Sequence, residues 1–80
     1  MIPCLFPEVM PVSDPCAAII DRLIAERRRR GMTQADLARA ASLPQPSIAR
    51  LESKRTVPQL DTLLRVAAAL GCELAVIPIE

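Results

Sequence analysis

From Asp14 to Leu70 apolar residues recur at steps of three and four, which places them along one face of an α-helix, and Gly, Pro and polar stretches interrupt the rhythm. The pattern predicts four helices. In the first, Cys16, Ile19, Ile20, Leu23 and Ile24 form the apolar stripe. Asp14 is its expected N-cap and Pro15 its first helical residue, where no amide donor is needed; Arg27 to Arg30 suit the C-terminal dipole, and Gly31 stops it. Thr33 restarts the chain as an N-cap, with Asp36 completing a variant of the capping box, and Leu37, Ala38 and Ala41 form the inward face of a short second helix. Ala40-Ala41-Ser42-Leu43 is the corner, small at Ala41 where two helices approach. The third helix begins at Pro44 or Gln45 and tolerates Pro46 only in its first turn. It turns Ile48 and Leu51 inward and leaves Gln45, Ser47, Ala49 and Arg50 outward. A polar connection, Ser53 to Gln59, leads to a fourth helix from about Gln59 to Leu70, with Leu60, Leu63, Leu64, Ala67 and Leu70 inward and Gly71 as its stop.

The flanks follow other rhythms. Residues 1–13 carry Pro3, Pro7 and Pro11, and Pro15 continues the spacing, which forbids a helix and favours an extended or polyproline arm. Ile2, Leu5, Phe6, Val9, Met10 and Val12 leave two readings open: a partly disordered tail, or an arm packed on its own dimer or on another protein. Residues 72–80 are apolar and β-branched on both alternating faces, Leu74 and Val76 on one, Ala75, Ile77 and Ile79 on the other. A lone strand leaves its backbone groups unpaired, and the simplest remedy is the same strand of a second subunit. Leu74, Val76, Ile77 and Ile79 are therefore the expected dimer contacts, with Pro78 at an edge or end. The expected organisation is an arm at 1–13, a helical domain at 14–71 and a dimerising strand at 72–80.

Composition narrows the chemistry. At 80 residues the chain is one small domain, of a size that often gains stability from a partner or from oligomerisation. Its net charge of +1 hides a division. From Arg22 to Arg55 nine basic residues face Glu26, Asp36 and Glu52, a net +6, while the remainder carries only Arg65 against six acidic residues, a net −5. A basic middle between acidic ends suggests a face for a polyanion. Histidine is absent, and Cys4, Cys16 and Cys72 lie far apart, which leaves no recognisable metal site and no nucleophile–base pair. The expectation is a non-enzyme with neither metal, cofactor nor small-molecule ligand, whose cysteines are free thiols. No apolar run suits a membrane span and the N-terminus lacks the order of a secretory signal, so a cytoplasmic protein is expected.

Taken together, Met32-Thr-Gln-Ala-Asp-Leu-Ala38, Leu43-Pro-Gln-Pro-Ser-Ile-Ala-Arg-Leu-Glu52 and Pro58-Gln-Leu-Asp-Thr-Leu-Leu-Arg-Val-Ala-Ala-Ala-Leu-Gly71 resemble the Cro and lambda-repressor-like helix-turn-helix, or XRE, family over residues 17–71. The resemblance implies an all-α, lambda-repressor-like domain of four to five helices, here with a C-terminal dimerising β-strand. In that family the second helix of the motif lies in the major groove of double-stranded DNA and the first spans the backbone.

By this resemblance Gln45, Ser47 and Arg50 are the base-contacting residues, with chemistry to match: Gln pairs with adenine N6/N7, Arg with guanine O6/N7. Thr33, Gln34, Lys54, Arg55 and Thr56 take the DNA backbone, and Arg27 and Glu52 form a structural ion pair between the first helix and the recognition helix. Two departures stand out, since Ser42 and Lys54 occupy positions that are glycine in the family, and Pro44 and Pro46 remove amides that could have met phosphate. The terminal strand is similar to antitoxins of the HigA and HipB kind. That implies a homodimer on a palindromic operator, a repressor of its own promoter and a partner toxin. A stand-alone phage-like repressor and a protein-interaction module are the alternatives.

Overall fold

The computed structural model describes residues 12–79; the arm residues 1–11, with Cys4, and Glu80 lie outside this range. Four helices follow in order: α1 (Asp14–Arg29), α2 (Gln34–Ala41), α3 (Gln45–Ser53) and α4 (Leu60–Ala69). α2 packs on both α3 and α4, and α1 packs on α3. Ile20 and Leu23 of α1, Leu37 and Ala38 of α2, Ile48 and Leu51 of α3, and Leu63, Val66, Ala67 and Leu70 from α4 and its cap form one core. None of the described helices is long and apolar enough to cross a membrane.

Helix ends explain where the chain turns. The N-cap of α1 is Ser13, not Asp14: its hydroxyl accepts from the Cys16 amide at 3.3 Å, which moves Asp14 to the first helical position and Pro15 to the second. A carboxylate still sits favourably there, beside the positive end of the dipole. At its other end Gly31, at φ +70°, donates to Arg28 O, while Met32 donates to Arg27 O. This paired closure recurs after α4, where Gly71 donates to Ala68 O and Cys72 to Ala67 O. The capping box on α2 is complete: Asp36 N donates to Thr33 Oγ1 and Thr33 N to Asp36 Oδ2, both at 3.0 Å. Those bonds from Thr33 hold the Asp36 carboxyl below its ordinary range.

Ser42 adopts the left-handed conformation at φ 59°, and Lys54 does so at φ 60° after α3. The chain thus keeps the corner geometry without the glycines that adopt it most cheaply. Ser42→Gly is expected to stabilise the domain by up to about 1 kcal/mol, read as a higher urea midpoint; a lower midpoint would show that the Ser42 side chain is holding the corner.

Two expectations about α4 and the tail are corrected. Leu60 and Leu64 are not inward; they are 65% and 45% exposed, and Val66, at 0%, takes the core position instead. The core stripe runs Leu63, Val66, Ala67, Leu70, and Leu64 falls about 100° around the helix from Leu63. In the first helix Ile19 is likewise 38% exposed. Among the described residues there is no strand: 72–79 carry no regular secondary structure in the single chain. A strand exists only with a ladder partner, and one copy supplies none. Leu74 turns back against the core, whereas Val76, Ile77 and Ile79 are exposed.

Candidate nucleic-acid interface

The orientation of α3 is fixed by one ion pair with unusual depth for so small a domain. Arg27, 9% exposed, donates from Nε to Glu52 Oε2 at 2.7 Å and from Nη2 to Glu52 Oε1 at 3.0 Å, while Nη1 reaches Met32 O at 2.7 Å. Both parallel bonds and the third bond to the backbone are the fork geometry that only arginine offers. The expected pairing of Arg27 with Glu52 is therefore present, and it ties α1 to the last turn of α3.

Glu52 does more than answer Arg27. Its Oε1 also accepts from Gln34 Nε2 at 3.0 Å, and Gln34 Oε1 accepts from Gln45 Nε2 at 3.4 Å. Gln34, at the start of α2, and Gln45, at the start of α3, thus meet at the corner between the two helices. Thr33 lies just before them as the exposed cap of α2. The bonds from Glu52 to Gln34 and on to Gln45 were not read from the sequence; the only signal was that glutamine occupies the opening positions of both helices.

Charge pairing shows which cations are left over. Glu26 accepts from Arg29 and Arg30, Asp36 from Arg39, Asp21 from Lys54 at 2.6 Å, and Asp61 from Arg65. Among the described residues Arg22, Arg28, Arg50 and Arg55 have no carboxylate partner. The four-arginine run is thus half neutralised, by Glu52 at Arg27 and by Glu26 shared between Arg29 and Arg30. The bonds from Arg29 and then Arg30 draw the Glu26 carboxyl down from 4.5 to about 2. A depressed carboxyl contributes stability that is complete above pH 4.5 and is lost as pH falls toward 2. Glu26→Gln is expected to flatten the acid limb of stability across that window, as measured by urea unfolding at a series of pH values; an unchanged limb would remove Glu26 from the acid response.

Arg50 and Arg55, in contrast, stand on the outward side of α3 and just beyond it. Gln45 and Arg50 are exposed and Ser47 half-buried. Ser47, Arg50, Thr56, Gln59 and Thr62 line an open groove of about 590 Å³ between α3 and the start of α4, together with Leu51, Val57 and Pro58. Gln59 and Thr62 were not singled out from the sequence, because only the fold carries α4's first turn to the recognition helix. The connection is shaped locally, with Ser53 Oγ donating to Arg50 O at 2.7 Å and accepting from Arg55 N at 3.2 Å. Lys54 is held by Asp21 on α1, so its ammonium would have to exchange one anion for another to meet phosphate, an exchange that weak surface pairing permits. Pro44 is the N-cap of α3 without a side-chain cap bond, and Pro46 lies in the first turn as expected.

A helix-turn-helix family model matches residues 23–77, spanning the corner, the recognition helix and α4. The chain belongs to the helix-turn-helix family. It is 42% identical, over 63 residues, to an uncharacterized HTH-type transcriptional regulator of Haemophilus influenzae; the match covers 79% of this chain and 64% of the relative. A solved structure described as a toxin-antitoxin module from Streptococcus pneumoniae contains a chain 46% identical, with a TM-score of 0.71, covering 84% of this chain and 74% of that one. The resemblance of the motif to an XRE-type, antitoxin-like helix-turn-helix therefore holds, and the all-α domain with it. Among the described residues no group of three or more Cys, Asp or Glu side chains is placed to hold a metal ion.

Proposed function

We propose that the chain is a sequence-specific DNA-binding repressor that reads a palindromic operator as a homodimer and serves as the antitoxin of a toxin–antitoxin pair. The observation that carries DNA reading is the exposure of Gln45 and Arg50, with Ser47 half-buried beside them, on a helix whose pose is fixed by the buried Arg27–Glu52 pair, with Arg50 and Arg55 free of carboxylate partners among the described residues. Gln45, Ser47 and Arg50 take base edges; Thr33, Gln34, Lys54, Arg55 and Thr56 take phosphates. The antitoxin role is supported by the likeness to the chain from the toxin–antitoxin module. Repression follows by excluding RNA polymerase from an overlapping promoter, in the cytoplasm at the nucleoid.

A gel shift with the chain's own upstream DNA tests operator binding; no shift at concentrations that bind random DNA rejects it. Co-expression with the product of the adjacent reading frame tests the toxin. A stable complex supports the antitoxin role, whereas operator binding without any complex leaves a stand-alone repressor.

Dimerisation is assigned to the tail, with Val76, Ile77 and Ile79 exposed and Leu74 anchoring its base. A strand at 72–80 pairing with its twin would bury that apolar row and satisfy the backbone groups. Truncation after Ala75 keeps the Cys72 cap bond and the packing of Leu74, and is expected to yield a folded monomer in sedimentation. A truncated chain that remains dimeric places the interface elsewhere, with the arm 1–13 as the next segment to remove.

A further inference from the structure

We infer that Glu52 is a positioning residue for base reading, acting through Gln34 to fix which way the Gln45 amide faces the groove; this rests on the DNA-reading role proposed above. The argument needs only donor and acceptor counting. An ionised carboxylate accepts and never donates, and a guanidinium donates and never accepts. Glu52 Oε1 and Oε2 are claimed by Arg27, so the third group at Glu52 has to be a donor, and Gln34 must turn its Nε2 toward it. That leaves Gln34 Oε1 on the opposite side, where it can only accept, and Gln45 must meet it with Nε2. The polarity set at Glu52 is thereby relayed through two amides to the first turn of the recognition helix.

The consequence is a fixed order of groups at the groove. Gln45 keeps Nε2, with its second hydrogen, on the α2 side and Oε1 on the far side. An acceptor and a donor in one order fit adenine, whose N6–H₂ donates and whose N7 accepts, and the reverse order sets donor against donor and acceptor against acceptor. A freely turning amide pays no such penalty and discriminates less. Specificity at that base pair is thus determined in part by Glu52, at the opposite end of α3 from Gln45.

The test uses the full chain and a library of duplexes with a randomised central segment. The wild-type protein selects its own site from the library; affinities for that site and for single-base variants at the position read by Gln45 then give a discrimination ratio. Gln34→Met leaves the Arg27–Glu52 pair intact and is expected to lower the ratio by about tenfold, with an unchanged thermal melt, on top of whatever uniform loss it brings. Glu52→Gln gives Arg27 one acceptor and turns a donor toward Gln34, which inverts both amides and removes the preference by a similar factor. The double variant Gln34→Glu with Glu52→Gln restores an acceptor-only group beside Gln45, and the ratio should rise above that of Glu52→Gln, which lacks the ion pair with Arg27 equally. A Gln34→Met ratio equal to wild type, or a double variant no better than Glu52→Gln alone, overturns the relay. A wild-type protein that selects no site overturns the DNA-reading role and the relay with it, so the two failures are distinguishable.

Discussion

Glu52→Ala is expected to remove about 3–5 kcal/mol of folding stability, more than any substitution confined to the surface of this domain. Arg27 is 9% exposed and its guanidinium is held by two bonds to Glu52 and one to Met32 O. Truncating Glu52 leaves a buried positive charge with a single neutral acceptor. The guanidinium cannot simply swing to water, because Nη1 is anchored on the backbone at Met32, just before the cap of α2. A domain of 80 residues has a total stability of roughly 4–12 kcal/mol, so the loss takes a large share of it. Replacing both partners with apolar residues, Arg27→Met with Glu52→Leu, is expected to recover most of that loss, since the desolvation cost disappears along with the attraction. Urea unfolding followed by circular dichroism reads both. A Glu52→Ala loss below about 1 kcal/mol would mean that the pair behaves as an exposed one and does not set the pose of α3.

Much of this architecture was legible because its determinants are local. The Thr33–Asp36 box, the stops at Gly31 and Gly71, and the inward pairs on α2 and α3 are each written within one turn of helix, and the structure places all of them as read. The Arg27–Glu52 pair spans distant positions and was reachable only through the family resemblance. What failed had a physical reason in each case. Leu60 and Leu64 look inward by four-residue spacing, but α4's core line is centred on Leu63, Val66 and Leu70, a rotation that depends on how α4 leans on α2. Asp14 lost the cap of α1 to Ser13 because both neighbours are competent acceptors, and sequence alone does not order them. The engagement of Lys54 by Asp21 and of Gln34 by Glu52 joins side chains that meet only once the helices have packed. The strand expected at 72–80 is absent among the described residues, where one chain supplies no second strand to pair with it.

Arg50→Ala is expected to collapse operator selectivity while sparing weak binding to random DNA. Arg50 is exposed, without a carboxylate partner among the described residues, and it borders the groove shared with Ser47, Thr56, Gln59 and Thr62. A bidentate arginine–guanine contact discriminates by about 1–3 kcal/mol. In the proposed dimer the substitution counts twice, so the loss on the operator is about 2–6 kcal/mol, or roughly 30-fold to 10⁴-fold. Arg55, exposed just past the left-handed Lys54, is the contrasting case. Arg55→Ala is expected to weaken operator and random duplex alike and to reduce the slope of log affinity against log salt by about 1 per protomer. The slope separates the roles better than affinity does, since counterion release follows phosphate contacts and is blind to sequence. Titrations of both variants on operator and random duplex across a salt series decide the matter. If Arg50→Ala and Arg55→Ala lose affinity equally on the two duplexes, Arg50 is another backbone contact, and base reading falls to Gln45 and Ser47 alone.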